Sequence, residues 1–138
     1  MSRLSLRVRA LYLLLAGAVF AIEVAIGAGR LGGPWVRGSL GDMLAVILVY
    51  CGLRGVLAPA PRWACVLAVA SGCLIESLQA IHLADRLGLR PGSVAYIALG
   101  NTATAHDLLM YMIGGGLAYM GDVLSWRAAA SGRQPPLQ

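Results

Sequence analysis

Glu23, Asp42, Glu76 and Asp107 stand within or at the edges of long apolar runs. A carboxyl group in hydrocarbon is costly, so a chain that keeps one there keeps it for an interaction or a task. Helical spacing supplies companions. Glu76, Gln79 and His82 follow an i, i+3, i+6 pattern that puts a carboxyl, an amide and an imidazole on one face. Asp107 and Tyr111 are four residues apart and Asp42 and Tyr50 eight apart, so each of these pairs is also cofacial. Carboxyls with an amide and a phenol beside them can hold a cationic or other polar group, or serve as an acid/base pair. Arg30 and Arg37 in one loop, or Arg86 and Arg90 in another, would balance their charge.

Each group also has a plainer reading. Asp42 and Asp107 open apolar runs, where a carboxylate caps free backbone N–H groups and favours the positive end of the helix dipole. Glu76 and Gln79 lie too deep in a run to cap anything; their alternative is an interhelical hydrogen-bond network. Glu23 would reach toward an interface, and His82 and His106 would be interfacial residues. There is no HExxH, no GxSxG, no Ser/Lys dyad pattern and no GxxxxGK[ST], so no cofactor or metal is expected and standard hydrolase chemistry has no support.

The elements that must position these groups follow from composition. The chain has 138 residues, 59% hydrophobic and only 12% charged, against about 25% charged in soluble domains. A small protein leaves too much surface exposed to hide that apolar content from water, which excludes a soluble enzyme and a disordered chain. Four apolar segments, at about 8–28, 40–57, 63–82 and 108–126, are each near the ~20 residues a helix needs to cross hydrocarbon. The expected fold is all-α: an integral membrane four-helix bundle forming one domain over residues 1–126. A short re-entrant or interfacial segment, Val94 to Leu99, precedes the last helix, bracketed by Pro91-Gly92 and Gly100-Asn101. Residues 127–138 read as a disordered polar cytoplasmic tail. Arg3, Arg7 and Arg9 before an apolar run have the look of a signal peptide, but the run continues to Ala28 and is long enough to span, so an uncleaved first helix is expected.

All 11 basic residues are arginine and there are six acids, a net charge of +5. The arginines are scattered singly between apolar runs, which argues against nucleic acid and for flanks of membrane helices. With both termini inside, Arg3, Arg7, Arg9, Arg54, Arg62, Arg127 and Arg133 are cytoplasmic and Arg30, Arg37, Arg86 and Arg90 are outside, the bias expected of a multi-pass protein. In that orientation the four carboxyls fall in the outer half of the bilayer, within roughly 10 Å of one another in depth. A Glu late in one helix and an Asp opening the next occurs twice, as Glu23/Asp42 and Glu76/Asp107, which suggests two parallel hairpins around a common centre. Cys51, Cys65 and Cys73 read as small core residues, Trp35, Trp63 and Trp126 as interfacial anchors, and Gly114-Gly115-Gly116 as a face for close helix packing.

Three motifs then stand out: R-x3-GD at Arg37–Asp42, E-x2-Q at Glu76–Gln79, and D-x3-Y-x2-G at Asp107–Gly114. Over residues 4–124 the chain resembles a family of small bacterial membrane proteins of unknown function related to the VanZ-like proteins. In fuller VanZ-like proteins Asn is common where Tyr111 stands here. The resemblance implies a four-helix protein of the bacterial inner membrane with a role at the cell envelope. The resulting expectation is an outward-facing intramembrane polar site, formed by Arg37, Asp42, Glu76, Gln79, Asp107 and Tyr111, that binds or moves a polar or cationic envelope-related ligand. The alternatives are a non-catalytic accessory or assembly subunit of a membrane complex, and an intramembrane acid/base enzyme acting on a lipid-linked substrate. Its partners are expected to be membrane lipids and, for a chain this small, further copies or a larger membrane complex.

Overall fold

A computed structural model describes residues 4–33, 35–93, 95–96 and 102–131. The elements in chain order are α1 (Leu6–Gly27), a π-helical turn (Val36–Leu40), α2 (Gly41–Val56), α3 (Pro61–Ala80), a four-residue helix α4 (Leu83–Arg86) and α5 (Ala105–Ser131). Among the described residues four helices are long and apolar enough to cross a membrane: Leu6–Gly27, Val36–Val56, Pro61–Ala80 and Ala105–Ala128. The architecture is all-α, a four-helix bundle.

Local signals set the ends. Ser5 caps α1 by accepting the Val8 N–H, so that helix begins two residues before the apolar run. Pro61 opens α3 at a position where its missing N–H costs nothing. Thr104 Oγ1 accepts the Asp107 N–H and caps α5, which starts three residues earlier than the hydropathy pattern suggests. That helix also runs through residues 127–131, which were expected to be tail; residues 132–138 lie outside the described residues. Of the expected re-entrant segment, Ala95 and Tyr96 are helical and the rest lies outside the described residues.

The chain turns from α2 to α3 at Ala58, which sits at φ +51 with its N–H bonded to the Leu53 carbonyl. That left-handed conformation costs an L-residue about 1–2 kcal/mol, while glycine carries an entropy cost of about 0.5–1 kcal/mol. Ala58→Gly is therefore expected to stabilise the protein by about 0.5–1 kcal/mol, measurable by denaturant titration in detergent micelles. A loss of stability would show that the Ala58 methyl packs more usefully than the turn is strained.

The outside of the bundle is apolar. Leu14, Phe20 and Val24 on α1, Val66 and Leu74 on α3, and Met112 and Met120 on α5 are exposed, a surface that suits lipid and not water. Inside, contact is made by small residues: Ala64 and Ala68 are fully buried, and a Cβ on Gly115 would lie 2.5 Å from Val69 Cγ2. Close approach of backbones is how helices associate where lipid removes the usual apolar drive. Helices α2, α3 and α5 all pack on one another, whereas α1 packs along α2 and the π-helical turn. The α2–α3 packing has no counterpart between α1 and α5 among the described residues, so the two hairpins are not arranged as equivalent repeats.

Candidate functional site

Asp42 does not start a helix. Residues 35–56 are continuously helical, with the π-helical turn leading straight into α2, so the backbone around Asp42 is already bonded and its carboxyl is free for other work. Asp107 is likewise relieved of capping by Thr104. The two carboxyls lie within hydrogen-bond reach of each other, Asp42 also near Glu76 and His106. Facing carboxyls repel unless a proton or a cation sits between them.

Glu76 is buried on α3 and ties the end of α5 down. Its Oε1 accepts the Thr104 N–H, and its Oε2 takes the Tyr111 hydroxyl at 3.5 Å. Tyr111 reaches this position because Gly72 leaves room for its ring: a Cβ at Gly72 would stand 2.9 Å from Tyr111 Cγ and Cδ2. On the far side of Asp107, His106 Nε2 pairs at 2.8 Å with the buried Ser39 hydroxyl of the π-helical turn. Such turns insert one residue into the helical repeat and often mark functional positions.

Beside this cluster is a cavity of about 270 Å³. Asp42, Gln79 and Tyr111 line its polar part, and Ala45, Val46, Val49 and Ile75 the rest, with Ser71 and Gly72 on the α3 wall. The side-chain amide of Gln79 makes no hydrogen bond among the described residues. The Ser71 hydroxyl is satisfied locally, donating to the Ala68 carbonyl at 2.7 Å.

The structure thus gathers Asp42, Glu76, Gln79, Asp107 and Tyr111 at one end of the bundle. Arg37 stands apart: it is exposed, and its guanidinium points back toward Gly29. Glu23 is half-buried on α1, away from the cavity lining. Tyr50 does not join Asp42, because eight residues of helix separate them by about 12 Å; its hydroxyl donates to Asp122 at 2.7 Å instead. His82 lies just past the end of α3, exposed at φ +51, and is outside the cavity lining that Gln79 joins.

Sequence reasoning missed a second buried polar layer. Arg54 and Asp122 are 2% and 4% exposed, with Arg54 Nε 2.7 Å from Asp122 Oδ2 and its Nη2 3.3 Å from Oδ1. The guanidinium lies 5.2 Å from the centre of the Tyr12 ring and donates to the Pro59 carbonyl. In sequence Arg54 has the look of a flanking arginine, and Asp122 belongs to no motif. The available signal was a sixth acid inside the last apolar run, fifteen residues or about 22 Å beyond Asp107. A second overlooked pattern, G-x-G-x-x-G at residues 27–32, overlaps the end of α1 and the loop after it, so it lacks the strand-to-helix setting that dinucleotide binding requires.

Residues 31–115 match the model of a family described as protein of unknown function (DUF2809). That stretch contains every residue lining the cavity. No curated protein and no solved structure matches the chain.

Proposed function

Taking as premise that the chain belongs to the family described as protein of unknown function (DUF2809), we propose that the acid-lined cavity of this multi-pass membrane protein binds a polar, cationic group. The observation that carries the reading is the combination of carboxyls and space. Asp42 and Gln79 border a cavity with Glu76 and Asp107 close behind, and no arginine lines it among the described residues. A cation there would relieve the repulsion between Asp42 and Asp107 and give the Gln79 amide oxygen a donor. In this reading the end faces outward, which the bias of the arginines supports. The likeness to VanZ-like proteins belongs to the same reading, in which the ligand is an envelope component and the membrane the bacterial inner one.

A second reading has its own observation. Glu76 bonds to the start of α5 and to Tyr111, as it would in an accessory subunit whose acids only join helices. Asp42, which lines the cavity, separates the two. Ethylammonium binding is measured on purified protein in detergent micelles by saturation-transfer NMR. Asp42→Asn and Glu76→Gln are each expected to weaken it about tenfold, equivalent to about 1.4 kcal/mol, with Asp42→Asn leaving the unfolding midpoint unchanged. Binding indifferent to both substitutions removes the ligand-site reading. Lost stability without any amine binding by the native chain establishes the assembly role.

A further inference from the structure

The cavity lining repeats at helical spacing on two helices. Residues 42, 45, 46 and 49 form one stripe on α2, and residues 71, 72, 75 and 79 form another on α3. The space between them is a groove running about 10 Å along the helix axes, with Tyr111 of α5 contributing to its wall. Polarity changes along it. Asp42 and Gln79 occupy the end where α2 begins and α3 finishes; Ala45, Val46, Val49 and Ile75 carry it apolar toward the middle of the span. Ser71 interrupts that apolar stretch with a hydroxyl already bonded to its own helix. Among the described residues α1 does not cover the groove, since it packs along α2 and the π-helical turn and not against α3. Val49 is exposed, and Ile75 and Ser71 are half-buried, so among the described residues the groove is open to the outside of the bundle.

Resting on the cation-site reading, we infer that the occupant is a membrane amphiphile with an ammonium head. It enters sideways between α2 and α3, setting its head against Asp42 and Gln79 and the first methylenes of its chain along Ala45, Val49 and Ile75. The charge of the polar end selects a cationic head over an anionic one, and the apolar stretch beside it rewards an attached chain. A volume of about 270 Å³ holds a small head and a few methylenes. The rest of the chain stays in the bilayer.

The test uses the full chain in phosphatidylcholine nanodiscs and a single-chain primary amine bearing a diazirine in its alkyl chain, with adducts mapped by mass spectrometry. Adducts are expected to concentrate on residues 45–49 and 71–75. They should fall at least fivefold with excess unlabelled amine, but not with the carboxylate of equal chain length, and Val49→Trp should reduce them similarly. Adducts spread evenly over the lipid-facing sides of all four spans, or competed equally by the carboxylate, overturn the lateral-lipid inference. Ethylammonium binding that still depends on Asp42 then leaves the cation site standing. If ethylammonium binding is indifferent to Asp42→Asn and Glu76→Gln, the cation site itself fails and this inference falls with it.

Discussion

Asp122→Asn is expected to destabilise the protein by about 3–5 kcal/mol, the cost of removing one partner from a buried ion pair. Asn keeps the shape of Asp122 and removes only its charge. The Arg54 guanidinium would then keep at most one amide oxygen at position 122 beside the Pro59 carbonyl and the Tyr12 ring, with no opposite charge, in surroundings that leave it 2% exposed. The Tyr50 hydroxyl, which now donates to Asp122, would face an amide in place of a carboxylate. Because the network joins side chains from α1, α2 and α5, the loss should appear as looser attachment of α1. Arg9 contributes a separate hold there, donating to the Gly55 and Val56 carbonyls at the negative end of α2. An SDS titration of the folded protein measures the stability, and hydrogen exchange along α1 locates the change. Replacing both partners with apolar residues, as in Arg54→Met with Asp122→Leu, should recover most of the loss, since no unpaired charge remains. A single Asn variant within about 1 kcal/mol of the native protein would show that the guanidinium escapes to water at the helix end, as long basic side chains can.

The spans were readable because a bilayer imposes length and composition on any helix that crosses it. Their ends were less so, since a hydropathy run records which residues tolerate lipid and not which ones cap a helix. Ser5 and Thr104 extend α1 and α5 beyond the apolar stretch by supplying side-chain oxygens to free N–H groups. Similarly, counting 1.5 Å per residue along antiparallel helices puts Glu23, Asp42, Glu76 and Asp107 at one level, of which the structure gathers the last three. Counting cannot, however, rotate a helix or open a path between two of them. Whether Asp42 capped or faced its neighbours turned on the π-helical turn before it, which has no signature in Val36–Leu40. Arg37 joins the acids in sequence through the R-x3-GD motif and as a balancing charge, and the turn sends its side chain the other way, toward Gly29. Arg54 shows the opposite error. Its place near a helix end gave it the look of an ordinary flank, and its partner lies 68 residues away.

The same limit applies to glycine, and it yields the second large effect. Gly114, Gly115 and Gly116 are adjacent and indistinguishable by type, yet only the first two meet a neighbour. A Cβ on Gly114 would stand 2.4 Å from the Met43 carbonyl oxygen and 3.1 Å from its carbonyl carbon. Backbone of a packed helix cannot swing aside as a side chain can, so α5 must move away from α2. Gly114→Val is expected to cost about 3 kcal/mol, the upper end of what overpacking imposes on a well-filled interior. Gly116 has nothing within 4 Å, and Gly116→Ala should be neutral or stabilising by up to about 1 kcal/mol through helix propensity. Consequences for the site follow from position. Met43 adjoins Asp42, and Gly114 lies three residues from Tyr111, so the displaced helices are the ones that carry the cavity wall. Ethylammonium binding should fall in Gly114→Val and survive in Gly116→Ala, with both measured in the NMR assay of the Asp42 and Glu76 variants. Equal stability of the two glycine variants would mean that α2 and α5 do not approach as closely as the packing at Met43 requires, and the carboxyls of Asp42 and Asp107 would then have no reason to meet.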